Sequence, residues 1–195
     1  RLDQEKNAFT GKEIGDVFLD IMPPFIAYGS ACGMCATLSE GLRLRLIPTF
    51  EPDDFGKLIV KYKPQHIIGV PSFYERLAKD PAMEGIDLSF LKFCIAGGDK
   101  LPVTAEERIN EFLAKHGVKN RIIKGYGMTE LSSVAAVNLD NDSNKLGSTG
   151  IPFPKNNIKV VNPETKERVG IGETGEIYEE GPTRMLGYLN QPSLE

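Results

Sequence analysis

Short runs of apolar residues alternate with amphipathic runs along the first two-thirds of the chain. The apolar runs predict strands at Asp16–Ile21 (DVFLDI), Leu42–Ile47 (LRLRLI), His66–Gly69 (HIIG), Lys92–Ala96 (KFCIA) and Arg121–Lys124 (RIIK). They are short and mostly rich in branched or aromatic residues, as buried strands are. Helices are predicted between them, at Tyr28–Ser39, Asp53–Tyr62, Ser72–Lys79 and Pro102–His116. The last opens on Leu101-Pro102, carries Glu106 and Glu107 early, and closes on Lys115, His116 and Gly117. Those charges and caps suit a helix running in that direction. Repeated strand–helix–strand order implies crossover connections and a mostly parallel sheet.

Beyond Glu130 the pattern changes. Ser132–Asn138 (SSVAAVN) reads as a further strand, and Asp140–Asn144 as a polar turn. Asn157–Asn162 and Glu173–Glu180 alternate with a period of two, joined by a turn region at Pro163–Gly170. The expected fold is α/β. A mostly parallel sheet with flanking helices fills residues 1–131, and an antiparallel β portion of a second subdomain fills 132–195.

The loops that follow two strands hold the candidate chemistry. Ala96–Pro102 (AGGDKLP) follows KFCIA, and Lys124–Leu131 (KGYGMTEL) follows RIIK, with one helix joining them. In a parallel sheet both emerge past the carboxyl ends of the strands, the edge where open α/β sheets bind ligands. Gly97 and Gly98 would let a flat ring approach the backbone. Tyr126 offers a face to stack on. Gly125 and Gly127 would let the chain turn around the tyrosine and expose amides. Thr129 can donate a hydroxyl to a phosphate oxygen, and Glu130 is a hard oxygen ligand suited to Mg²⁺. Together these residue types point to a nucleotide site for adenine. Each loop alone reads more readily as an ordinary tight turn, since short glycine motifs recur by chance, and only the two together, joined by one helix and each following a strand, bring the nucleotide reading level with it.

Composition narrows the partners. The 195 residues are 41% hydrophobic, enough for a packed core, and carry a net charge of −4 with no basic run. Nucleic-acid binding through a basic face is disfavoured. No apolar run reaches membrane-spanning length and no signal peptide opens the chain, so a cytoplasmic setting is expected. Cys32 and Cys35 form a CxxC, but the surrounding AYGSACGMCATLSEG resembles a buried helix and no second ligand pair accompanies it. All three cysteines, Cys94 included, read as small core residues. His66 and His116 stand isolated, and neither is assigned a catalytic role.

The GYGMTEL run resembles the tyrosine–glycine–x–threonine–glutamate signature of the adenylate-forming enzymes, the AMP-dependent synthetases and ligases. The likeness extends to MPPFIAYG (22–29), IIGVPSFYERLAKDP (67–81), KFCIAGGDKLP, GSTGIPFP (147–154) and GETGEIYEEGPTRMLGYLNQP (172–192), in order and over nearly the whole chain. It is most like an acyl-CoA synthetase. The resemblance implies that Gly97, Gly98 and Asp99 border the adenine and the acyl site. Gly125, Tyr126, Gly127 and Met128 would frame the adenine, Thr129 would contact the α-phosphate, and Glu130 would hold Mg²⁺. Tyr28 would line the acid pocket, and the GETGE and GPTRMLGY runs would fix the β portion. The implied substrates are ATP, a carboxylic acid and coenzyme A, with an acyl-adenylate and AMP formed on the way.

Two departures refine this. Family members often carry a histidine after the aromatic residue of the proline–aromatic segment, where Ile26 stands here, which implies a more apolar acid such as a fatty acid. Met128 stands where peptide-synthetase adenylation domains usually have proline, favouring a CoA ligase over an enzyme loading a carrier-protein thiol. A non-catalytic nucleotide-binding module is the third reading. The family's phosphate loop, ribose-binding aspartate and late lysine are not found in these residues. The chain is therefore expected to be a central piece that needs the remainder of a parent chain and is inactive alone.

Overall fold

The structure, a computed structural model, describes residues 11–139 and 144–191. The predicted polar turn Asp140–Asn144 lies outside the described residues except for Asn144, which is buried.

Among the described residues nine strands form two sheets. In the first, β1 (Val17–Asp20), β2 (Arg43–Leu46), β3 (His66–Gly69), β4 (Phe93–Ala96), β5 (Ile123–Met128), β6 (Ser133–Val137) and β7 (Ile151–Pro152) lie in the order β2-β1-β3-β4-β5-β6-β7. Pairings from β2 to β5 are parallel, while β6 and β7 join antiparallel beyond β5. A separate antiparallel ribbon pairs β8 (Asn157–Val161) with β9 (Glu176–Glu180). The mostly parallel α/β fold with an antiparallel portion is thus as expected.

Sequence accounts for the strand positions. All four residues of β3 are buried, as suits a strand covered on both faces. The edge strand β2 instead alternates exposed Arg43 and Arg45 with half-buried Leu44 and Leu46, and an edge carrying charge resists further pairing.

Helices cover both faces. Between β1 and β2 runs a π-helical stretch, Tyr28–Cys35, continuing into α1 (Ala36–Ser39). The Ala36 N–H donates to the Ala31 carbonyl, five residues back. Then come α2 (Phe55–Tyr62), entered through a 3₁₀ turn at Pro52–Asp54, α3 (Pro71–Lys79) and α4 (Val103–Lys115). Proline opens the 3₁₀ turn and α3, and Pro102 caps α4, where a missing N–H costs no intrahelical bond.

Neighbouring residues of each strand feed different cores. Leu19, Ile67 and Cys94 lie in one cross-strand row and pack with Phe55, Ile59, Tyr74, Leu77, Ile109 and Leu113 of α2, α3 and α4. Phe18, Met22 and Ile68 pack on the other side with Ile26, Tyr28 and Ile95. This period of two is the strand's own geometry.

Candidate active site

The two glycine-bearing segments meet. Ala96 of β4 pairs with Lys124 of β5, so Gly97 and Gly125 emerge side by side. A Cβ placed on Gly97 would lie 3.3 Å from the Gly125 carbonyl oxygen and 3.2 Å from Tyr28 Cζ, so a side chain there would force its neighbours to give by a few tenths of an ångström. Gly98 turns with φ +77°, in the left-handed region that glycine adopts freely. Gly98 and Asp99 are exposed, and Asp99 Oδ1 accepts from the Lys100 N–H at 2.7 Å.

The GYGM run corrects one expectation. It is not a turn around the tyrosine but the continuation of β5, paired with β6 as Gly125↔Val137, Tyr126↔Ala136 and Gly127↔Val134. The register slips between Tyr126 and Gly127, a β-bulge of the kind that re-aims a side chain next to a site. A Cβ on Gly127 would collide with the Ser133 carbonyl, so the bulge requires that glycine. Glycine-rich sequence is poor strand former on its own. Here pairing with β6 supplies the backbone partners. The actual turn is the 3₁₀ segment Thr129–Leu131, followed by Ser132 at φ +61°.

The anchoring of this run is buried. Lys124, next to Gly125, donates to Glu106 of α4 and, at 2.9 Å, to the Lys145 carbonyl. The second Glu106 oxygen accepts from the Gly147 N–H at 3.1 Å. Lys124 and Glu106 are almost fully buried, so each charge depends on the other.

Tyr126 is half-buried, Met128 and Thr129 are exposed, and Glu130 is partly exposed beside them. Burial and the nearby Glu179 carboxylate of β9 raise the Tyr126 hydroxyl above its ordinary range. Glu179 is raised in turn by its own burial. Glu130 Oε1 accepts from the Tyr188 hydroxyl, which holds the carboxyl below the usual range and leaves it ionised at neutral pH. Tyr188 is the contact that sequence reasoning missed; the run containing it was assigned only to fixing the β portion.

Tyr28 sits over the strand ends. Its hydroxyl donates to the carbonyls of Ile95, at 3.2 Å, and Gly69, at 3.3 Å. Its ring lies against Gly97 and Gly98. Burial raises its hydroxyl far above the ordinary range. Tyr28 therefore reaches the same cluster as the two glycine segments. Asp20, at the end of β1, is fully buried. One carboxylate oxygen accepts from the Met22 N–H at 2.9 Å, the other packs on Gly33 without a partner, and desolvation lifts the group to about 6.

The cysteines divide. Cys94 is buried in the core and its thiol is pushed up to about 12 by burial. Cys32 is partly buried, its Sγ 2.8 Å from Ser133 Oγ. Cys35 is exposed, contrary to the expected core role, because Gly29 and Gly33 take the buried side of that helix. His66 lies at the amino end of β3, opposite the carboxyl ends that carry the candidate loops, its Nε2 2.8 Å from Asp16 Oδ2, and His116 Nδ1 lies 2.7 Å from the Ile86 carbonyl. A groove of ≈ 630 Å³ between α2 and α3, lined by Asp53, Glu75 and Arg76, holds none of the candidate residues. Among the described residues no helix is long and apolar enough to cross a membrane, and no cluster of three or more His, Cys, Asp or Glu side chains could hold a metal by itself.

The chain is 34% identical over 181 residues to the long-chain-fatty-acid–CoA ligase of Bacillus subtilis (strain 168), covering 93% of this chain and 31% of that protein. It is 37% identical over 177 residues to the probable 4-coumarate–CoA ligase 1 of Dictyostelium discoideum, covering 90% and 31%. The chain thus spans less than a third of the length of either relative. Among solved structures, the benzoate CoA ligase from Burkholderia xenovorans LB400 superposes with a TM-score of 0.80 at 26% identity, over 95% of this chain and 37% of that one. The family model described as "AMP-binding enzyme" matches residues 2–189, and the chain belongs to that family.

Proposed function

We propose that the chain is a segment of an AMP-forming acid–thiol ligase, carrying the adenine- and α-phosphate-binding part of its active site. The carrying observation is that Gly97 and Gly125 lie side by side past the paired ends of β4 and β5, and that β5 carries the chain on through Tyr126 to the turn holding Thr129 and Glu130. Membership of the AMP-binding family supports the reading. The share of the relatives' length that is matched supports its being a segment.

In this reading the adenine lies between the Gly97–Asp99 backbone and Tyr126, with Met128 at its edge. Thr129 donates its hydroxyl to an α-phosphate oxygen. A carboxylate oxygen of the acid bonds to the α-phosphorus as the bond to the β-phosphate bridge breaks, and pyrophosphate leaves. The sulfur of coenzyme A then bonds to the acyl carbon, AMP departs, and the thiol proton passes to solvent. Charge builds on phosphate oxygens in the first step, so fixed donors aimed at them lower the barrier.

Glu130 fits Mg²⁺ in the one-carboxylate manner, in which substrate phosphates and water complete the shell. It is ionised and partly exposed. Bound there, the cation would supply positive charge against the phosphates.

Tyr28 would wall the acid side, and Ile26, half-buried beside it in the same apolar cluster, supports an apolar acid such as a fatty acid. A cytoplasmic setting is part of the proposal. The test is ATP–pyrophosphate exchange by the complete ligase against acids of graded length and aromaticity. Exchange that depends on an apolar acid is expected, with none from this chain alone. Exchange with no acid, or only with strongly polar ones, would contradict the assignment.

A further inference from the structure

Three contacts fasten residues 183–188 across the turn that follows β5. The Met185 N–H donates to the Glu130 carbonyl at 2.8 Å. Ser132 Oγ donates to the Thr183 carbonyl at 2.7 Å. The Tyr188 hydroxyl donates to Glu130 Oε1. The first joins backbone to backbone, and the second joins a serine hydroxyl to a backbone carbonyl. The third joins two side chains, and it lands on the carboxylate of the candidate cation ligand.

Packing does not explain it. Tyr188 is 39% exposed and belongs to neither core cluster. A glutamate on a partly exposed turn has several rotamers, and ordering it on ligand binding costs side-chain entropy. A phenol already bonded to one oxygen removes part of that cost. A carboxylate has about four lone-pair sites, so one donor leaves it able to ligate a cation.

We propose that Tyr188 is a positioning residue that orients the Glu130 carboxylate for a divalent cation bound together with the nucleotide's phosphates. This rests on the reading of Glu130 as the ligand given above. Partners outside the coordination shell commonly change metal affinity by about 10- to 100-fold.

The experiment measures Mn²⁺ affinity by electron paramagnetic resonance on the complete ligase saturated with α,β-methylene-ATP. Wild type, Tyr188→Phe and Glu130→Gln are compared. Both variants are expected to bind Mn²⁺ at least about tenfold more weakly. Tyr188→Phe should keep the metal-free affinity for AMP and the wild-type melting temperature, and its kcat should recover as Mg²⁺ is raised. If Glu130→Gln weakens Mn²⁺ binding while Tyr188→Phe leaves it unchanged or tightens it, the role of Tyr188 is overturned and that of Glu130 survives. If neither variant changes Mn²⁺ affinity, Glu130 is not the ligand and both readings fail.

Discussion

Gly97 and Gly125 face each other across adjacent strand ends, so closely that a Cβ on the first would stand 3.3 Å from the carbonyl oxygen of the second. The same Cβ would press on Tyr28 Cζ at 3.2 Å, whereas a Cβ on Gly125 would meet only the Ala136 carbonyl at 3.9 Å. The two positions should therefore respond differently. Gly97→Ala overpacks and is expected to cost about 1–3 kcal/mol in denaturant unfolding. Gly125→Ala fits the fold and should leave stability within about 1 kcal/mol of wild type. If the adenine lies where proposed, Gly125→Ala nonetheless weakens AMP binding by about tenfold, roughly 1.4 kcal/mol, read by calorimetric titration.

Gly127 tests the bulge separately. Its Cβ would strike the Ser133 backbone, which no rotamer change relieves. Gly127→Ala should lower the unfolding free energy by about 2 kcal/mol or more, with a matching drop in melting temperature. A melting temperature equal to that of Gly125→Ala would contradict the register slip between Tyr126 and Gly127.

Much of this arrangement was legible in the sequence, and the limits have physical causes. The five parallel strands and the helices between them follow from apolar period and proline or charge punctuation, and their bounds moved by only a few residues. Leu44 and Leu46 against Arg43 and Arg45 mark an edge strand by pattern alone. The extension of β5 through GYGM was not legible, because glycine carries little strand propensity and the partner β6 is what holds it extended. The π-helical stretch was likewise hidden, since its hydrogen-bond offset leaves no trace in the composition of AYGSACGMC. Tyr188 and Glu130 are 58 positions apart, and only the folded backbone between 183 and 188 brings them together. Glu106 and Lys124 read as a helix-start charge and a strand-end charge, whereas they form a buried pair.

That pair gives the next prediction. Removing one partner leaves the other charged and buried, so Lys124→Met or Glu106→Gln alone should cost about 3–5 kcal/mol. The double variant should cost clearly less than the sum, because no uncompensated charge remains. Chemical denaturation of the four proteins in the cycle reads the coupling. Simple additivity would show that the pair does not anchor β5 to α4.

Asp20 gives a pH dependence of known sign. Its ordinary value is 3.8 and burial lifts it to about 6 in the fold. The folded state therefore binds the proton more tightly than the unfolded state. Its contribution is fully present below pH 3.8 and is lost as pH rises through about 6. Asp20→Asn should thus stabilise the protein by about 2 kcal/mol at pH 7.5. Near pH 4 the benefit should shrink toward zero. A stability difference between the two proteins that stays constant from pH 4 to about pH 8 would contradict the burial of a titrating carboxyl at the end of β1.

The central claim, that two chain segments close on one adenylate, is tested most directly by a crystal structure of the complete ligase with a non-hydrolysable acyl-adenylate bound. The account predicts the adenine against the Gly97–Gly98 backbone with the Tyr126 ring on it, and the Thr129 hydroxyl within hydrogen-bonding distance of the α-phosphate. An adenine bound elsewhere, with Tyr126 turned from it, would contradict the account.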